Sequence, residues 1–108
     1  MSLAWQSSVW AEVGDEHGAL VLRCGGELDD ASRPSLEPTL HAAIDSSDHV
    51  VLDLQELTFC DSAGIALIIG AAERARARGC RLVIDNVTPA VRRVFDIAAL
   101  GETVELRA

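Results

Sequence analysis

The hydrophobic and polar positions of this chain alternate between patterns typical of strands and patterns typical of helices. Short apolar runs predict five strands, which lie at residues 9–13, 19–24, 49–54, 81–85 and 103–106. The first two runs are separated by a polar segment, 14–18, that begins and ends with glycine, so they predict a β-hairpin. Gly25-Gly26 is expected to end the second strand, and residues 27–30 are expected to form an acidic loop.

The first of three predicted helices follows that acidic loop. Its apolar side chains recur every four residues, at Leu36, Leu40 and Ile44, which places them on one helix face. Two prolines limit where the helix can begin, because proline is tolerated only in the first turn. We therefore expect the helix to start near Ser32 or Ser35.

The second and third predicted helices have clear start or stop signals. Residues 62–78 predict the longest helix, and Gly79 is a typical residue for ending it. Its first half is apolar on nearly all sides, whereas its second half alternates charged residues with alanine, so it is expected to begin buried and end in solvent. Thr88 followed by Pro89 predicts the start of the third helix, and Gly101 is expected to end that unit.

The resulting order, β-β-α-β-α-β-α-β, predicts the α/β class. Links of the type strand–helix–strand favour parallel pairing through right-handed crossovers, so the sheet should be mixed and mostly parallel. A chain of 108 residues fits one domain, expected over 1–108, of which residues 1–3 could partly be left over from cloning.

Composition and charge exclude several classes of function. The net charge of −8, from 17 acidic against 9 basic residues, disfavours nucleic acid and anionic membranes as partners. No stretch approaches the roughly 18 apolar residues of a membrane span, and no secretion signal opens the chain. Cys24, Cys60 and Cys80 show no metal-ligand spacing, which argues against structural zinc and against a disulfide framework. We expect a protein of the reducing cytoplasm.

The segment 57–64 is the most unusual stretch, because it joins the end of an inner strand to the start of the longest helix. Ligands and partners of open α/β sheets usually meet the protein at that edge. A helix N-terminus has free N–H groups and a partial positive charge, so a phosphate on Ser62 would be tolerated there. The simpler interpretation is that Asp61 or Ser62 only caps the helix.

Several motifs stand in a consistent order, at 26–29, 50–54, 57–64, 89–95 and 100–101. Together they resemble a STAS domain of the bacterial anti-sigma factor antagonist family, over about eighty residues. The resemblance implies the STAS fold, a small sandwich of helices against a mixed sheet. It also implies a protein that takes part in partner switching in the control of sigma factors.

The resemblance implies a specific mechanism. The unphosphorylated antagonist binds an anti-sigma factor that is also an ATP-dependent serine kinase, and the sigma factor is released. The kinase then phosphorylates the serine that matches Ser62, and a PP2C-type phosphatase restores the active form. ATP would belong to the kinase, so the chain itself is expected to need no cofactor. The residues implied in partner binding are Glu27, Asp29, Asp61, Ser62, Ala63 and Gly64.

Two alternatives belong to other classes. An enzyme could use Ser62 or Cys60 as a nucleophile with His17, His41 or His49 as a base, but none of these histidines has a motif partner. The other alternative is a constitutive STAS subunit of a lipid-transport or sensory complex, without phosphorylation. The run 61–67 also resembles that lipid-transport branch, whereas 89–101 fits the antagonists better.

The arginines of the longest helix and the two tryptophans near the N-terminus each have a structural interpretation. The arginines at 74, 76 and 78 are most simply a solvated helix end that complements the helix dipole. Trp5 and Trp10 either cover a sheet edge or, if exposed, mark a contact surface.

Overall fold

The computed structural model describes residues 8–107, so the predictions for residues 1–3 and for Trp5 lie outside the described part. The strands are β1 (Val9–Glu16), β2 (Ala19–Leu28), β3 (His49–Cys60), β4 (Arg81–Asp85) and β5 (Glu105–Leu106). The helices are α1 (Arg33–Ser46), α2 (Ser62–Arg78), α3 (Pro89–Ile97) and a short 3₁₀ helix (Leu100–Glu102). The predicted α/β class and element order are confirmed.

The strands form a mixed sheet in the order β1-β2-β3-β4-β5. β1 and β2 pair antiparallel as the predicted hairpin, through a two-residue turn at His17 and Gly18. The remaining neighbours, β2–β3, β3–β4 and β4–β5, pair in parallel. Parallel pairing matters for the site, because it brings the carboxyl ends of β2 and β3 to the same edge.

β2 and β3 are both longer at their carboxyl ends than the sequence predicts. Gly25 and Gly26 do not end β2, and β3 continues through the segment expected to be a loop, as far as Cys60. The two extensions pair with each other, through shifted registers that align Gly25 with Glu56 and Glu27 with Phe59. Each strand supplies the other's backbone hydrogen bonds, which outweighs the low strand propensity of glycine.

Two helix boundaries also differ from prediction. α1 starts after Ser32 as expected, but it continues through Pro38, which therefore lies inside the helix and beyond its first turn. α3 ends at Ile97 rather than at Gly101, and the chain turns through Ala99, whose φ of 54° lies in the left-handed region. β5 is shorter than the predicted strand, whereas α2 and β4 have the predicted bounds.

The core lies between the helices and one face of the sheet. Apolar side chains from all three helices pack there against alternate residues of β2, β3 and β4, such as Leu22, Leu52 and Ile84. The opposite face buries Val51 and Val83 at its centre and carries ion pairs between neighbouring strands, including Arg23–Glu12 and Arg81–Glu105. The main core therefore lies on the helix side of the sheet, and the charged side chains of the other side reach solvent.

The arginines at the end of α2 are not simply solvated. Arg74 and Arg78 both pair with Asp45 of α1, and the Arg76 guanidinium donates a hydrogen bond to the Thr103 carbonyl. Hydrogen bonding from Arg74 lowers the pKa of the Asp45 carboxyl. The two pairs with Asp45 connect the ends of α1 and α2, and the bond from Arg76 connects α2 to the segment before β5.

Candidate functional site

Asp61 alone connects β3 to α2. Its backbone is extended, and its carboxylate oxygen Oδ1 accepts hydrogen bonds from the N–H groups of Ala63 at 2.9 Å and Gly64 at 3.4 Å. The Asp61 N–H in turn donates to the carbonyl of Leu28, the last residue of β2, at 3.3 Å. Asp61 is therefore the N-cap of α2, and it holds the helix start against the end of the neighbouring strand.

Ser62 is the first residue of α2 and is exposed to solvent. Within residues 8–107 its hydroxyl makes no hydrogen bond. Ser32, at the start of α1, is the contrast: it is 1% exposed, and its hydroxyl donates to the Glu27 carbonyl at 2.7 Å. The capping role that could have explained Ser62 is taken by Asp61, so the Ser62 hydroxyl is free for another molecule.

The next two residues of α2 differ in accessibility. Ala63 is half-buried, whereas Gly64 is buried against Cys60 and Leu28. A Cβ at position 64 would overlap Cys60 Sγ and would lie 3.0 Å from Leu28 Cγ. Glycine is therefore required here for packing inside the chain, and the contact of Gly64 with a partner stays a prediction.

Asp29 is fixed in the turn between β2 and α1 by reciprocal hydrogen bonds with Ser32. Its carboxylate accepts from the Ser32 N–H at 2.8 Å, and its own N–H donates to the Ser32 hydroxyl at 2.9 Å. Because Leu28 pairs with Cys60 in the parallel register, Asp29 and Asp61 each follow one member of the same pair. The predicted site residues of the two loops thus meet at one edge of the sheet.

The acidic side chains around this edge have no cationic partners within the part of the chain that the structure describes. Elsewhere, most arginines are paired with carboxylates of the same chain, as in Arg92–Asp96 and Arg107–Asp85. At the site edge the unpaired acidic residues are Glu27, Asp29, Asp30, Glu56 and Asp61. The surroundings of Ser62 therefore carry several carboxylates that form no ion pair within residues 8–107, since the nearby Arg33 is paired with Glu37.

Sequence reasoning missed Phe59, which was assigned only to a loop. It lies in β3 three residues before Ser62 and is 47% exposed. The sequence around Phe59 mixes apolar and polar residues and gave no signal for its exposure, which depends on the extended pairing of β3 with β2. Trp10 is also exposed, at 42%, on β1.

The three histidines considered as bases lie outside the junction between β3 and α2. His41 is in the third turn of α1. His17 is in the hairpin turn before β2, and His49 begins β3, so each is separated from the site edge by the length of a strand, about 30 Å. Burial raises the pKa of the Cys60 thiol to about 12, which disfavours the nucleophilic thiolate. The triad that an enzyme would require is not assembled by these residues.

Among the described residues, no cluster of histidine, cysteine and acidic side chains could hold a metal ion. No helix within 8–107 combines the length and hydrophobicity needed to cross a bilayer.

Comparisons with known proteins agree with the geometry. The family model described as "Mlab, STAS domain" matches residues 12–107. An anti-sigma F factor antagonist of Paenibacillus polymyxa is 31% identical over 91 residues, covering 82% of this chain and 78% of that protein. Another, of Lysinibacillus sphaericus, is 31% identical over 84 residues, covering 76% and 72%.

A solved structure shows the same fold. The crystal structure of an anti-sigma factor antagonist from Mycobacterium paratuberculosis superposes with a TM-score of 0.83 at 28% identity, covering 92% of this chain and 85% of that one. The relatives are regulatory proteins of sigma factor control. The chain therefore belongs to the STAS domain family, among the bacterial anti-sigma factor antagonists.

Proposed function

We propose that this chain is a regulatory binding protein, not an enzyme, whose unphosphorylated form binds an anti-sigma factor and thereby releases a sigma factor. The anti-sigma factor would be an ATP-dependent serine kinase that phosphorylates Ser62 and so ends the complex. A PP2C-type phosphatase would restore the binding form. The observation that carries the proposal is the exposed Ser62 hydroxyl, which makes no hydrogen bond within the described chain while Asp61 caps the helix.

The local geometry supports Ser62 as a phosphate acceptor. The expectation that free N–H groups at the helix start would favour a phosphate on Ser62 does not hold for Ala63 and Gly64, because their N–H groups already donate to Asp61 and cannot draw a phosphate onto the helix. A phosphoserine carries about −1.5 to −2 charges at pH 7, and it would stand beside the carboxylates of Asp29 and Asp61. The phosphate is therefore expected to project away from the chain, toward a bound partner.

A phosphate in that position is sufficient to separate the two proteins. Directly after transfer it would lie against the nucleotide diphosphate in the kinase site, where repulsion and desolvation both oppose binding. A tenfold loss of affinity needs only about 1.4 kcal/mol. A single modified serine can therefore work as a switch.

The other expected partners and the location are part of the same proposal. The net charge of −8 supports a protein partner rather than nucleic acid, and the protein would act in the cytoplasm. The buried, unpaired thiols of Cys24, Cys60 and Cys80 fit a reducing compartment. No cofactor is required of this chain, because ATP would be bound by the kinase.

Phosphorylation by the anti-sigma kinase from the same genome tests the proposal directly. Wild type should gain one phosphoryl group, mapped to Ser62 by mass spectrometry, and Ser62→Ala should gain none. Ser35→Ala is the matched control, because Ser35 is also an exposed serine in the first turn of a helix. If the kinase binds the chain but modifies neither wild type nor Ser35→Ala, the phosphorylation switch is refuted; if it neither binds nor modifies wild type, the chain is a constitutive STAS subunit of another complex instead.

A further inference from the structure

Two of the exposed large apolar side chains lie on the sheet surface that leads to Ser62. Within residues 8–107, such side chains are Trp10, Val13, Phe59 and Ile97. Phe59 is paired with Glu27, whereas the next pair, Leu28 with Cys60, is buried in the core. Successive strand residues point to opposite sides of a sheet, so Phe59 and Glu27 lie on the face opposite to the helices.

Trp10 lies on the same face, over Gly25. The two residues are paired across β1 and β2, and a Cβ at Gly25 would overlap the indole ring. Gly25 thus lets the ring lie directly against the backbone, while 42% of the tryptophan remains exposed. Gly25 is in turn paired with Glu56 of β3, so Trp10, Glu27, Glu56 and Phe59 form one continuous area, the aromatic–acidic surface.

The charge of this surface restricts what can cover it. Glu27 and Glu56 are exposed and form no ion pair with any residue in 8–107, and the acidic residues around Ser62 continue the same negative area. A second copy of the chain would bring two such areas together, and like charges would oppose that contact. The complementary partner presents an apolar patch surrounded by arginine or lysine.

We propose that the aromatic–acidic surface is a second contact area for the anti-sigma factor, with Phe59 as its apolar centre and Trp10 at its margin. This inference rests on the proposed function, because it takes the same partner that approaches Ser62. The partner then spans the edge of the sheet, with its nucleotide site at Ser62 and a basic, apolar patch on Phe59. Buried aromatic side chains often dominate such interfaces.

The test is a calorimetric titration of the purified anti-sigma factor into wild type, Phe59→Ala and Ile97→Ala. Phe59→Ala should weaken binding by about tenfold or more, whereas Ile97→Ala, which removes an even more exposed apolar side chain, should change it less than about twofold. Circular dichroism and urea unfolding of each variant establish that it is folded. Glu56→Gln should weaken binding and reduce its dependence on salt.

The outcomes separate this inference from the proposed function. If Ser62→Asp loses the partner but Phe59→Ala binds like wild type, the switch stands and the second contact area is refuted. If Phe59→Ala loses the partner but Ser62→Asp does not, the contact area stands without the switch. If wild type does not bind the anti-sigma factor, the proposed function and the second contact area both fail. If sedimentation then shows that wild type is a dimer and Phe59→Ala is a monomer, the surface is assigned to a second copy of the chain.

Discussion

Asp61 and Ser62, adjacent at the start of α2, differ in their hydrogen bonding and exposure. The Asp61 carboxylate is bonded to backbone N–H groups of the first helical turn, and the Ser62 hydroxyl is left exposed. A serine needed for structure would be bonded as Ser32 is, with its hydroxyl buried between Asp29 and Glu27. At the scale of single residues, this difference separates a structural role from one in binding or modification.

The capping assignment predicts how stability responds to mutation. Asp61→Ala should lower the free energy of unfolding by about 0.5–2 kcal/mol, because it removes the N-cap of α2, and Asp61→Asn should lower it less. Ser62→Ala should change it by less than about 0.5 kcal/mol, as for an exposed side chain without partners. Urea unfolding of the three variants measures this, and a loss with Ser62→Ala equal to that with Asp61→Ala would show that Ser62 is a cap.

The packing of Gly64 makes a second prediction. Gly64→Ala should destabilise the protein by about 1–3 kcal/mol, because the new methyl group overlaps Cys60 Sγ and crowds Leu28. Gly70→Ala is the matched control in the same helix: a Cβ there meets nothing within 4 Å, so it should stabilise by up to about 1 kcal/mol. Equal effects of the two substitutions on the urea midpoint would refute the packing role.

The thiols should be unreactive in the folded protein. Burial raises the pKa of Cys24 and of Cys60 to about 12, with smaller contributions from Asp53 and Asp61, so little thiolate is present at pH 8. Reaction with a chromogenic disulfide reagent should be slow in buffer and fast in guanidinium chloride. A rapid reaction of Cys60 in the native protein would restore it as a candidate nucleophile.

Among the helices and strands, those whose bounds depend on neighbouring residues in the sequence were predicted correctly. The bounds of α2 and β4 follow from patterns within each segment, and Gly79 ends α2 in the left-handed conformation as predicted. The ends of β2 and β3 could not be predicted, because residues 25–28 and 56–60 become strands by pairing with segments distant in sequence: with each other and, for Gly25 and Gly26, also with β1. For the same reason the exposure of Phe59 was not predictable.

The link between α1 and α2 gives a prediction for pH dependence. The pKa of Asp45 is lowered by its hydrogen bond with Arg74, so the stabilisation is present above the ordinary aspartate pKa of about 3.9 and is lost as the pH falls through the lower folded value. Wild type should therefore be more stable than Asp45→Asn at pH 7, and the difference should shrink as the pH falls below about 4.

Thermal unfolding of wild type and Asp45→Asn between pH 2.5 and pH 7 measures this pH dependence. Asp48→Asn is the control, since Asp48 forms no ion pair with the described residues. A difference between wild type and Asp45→Asn that grows as the pH falls would contradict the assignment.

At the scale of the whole molecule, charge and topology are arranged around one edge. Parallel pairing of β2 and β3 brings Asp29 and Asp61 together, while most arginines are paired with carboxylates elsewhere on the surface. The overall acidity was evident from composition, but its concentration beside Ser62 depends on which carboxylates the arginines neutralise. The family resemblance pointed to the serine, and the structure adds the reason that it is available.

The most direct test is displacement of the sigma factor from its complex with the anti-sigma factor. Fluorescently labelled sigma factor, bound to the anti-sigma factor from the same genome, should be released by wild type and by Ser62→Ala, and its anisotropy should fall. Ser62→Asp should release about tenfold less at equal concentration, as expected for a negative charge at the switch. Equal release by all three, or release by none, would contradict an antagonist that is controlled at Ser62.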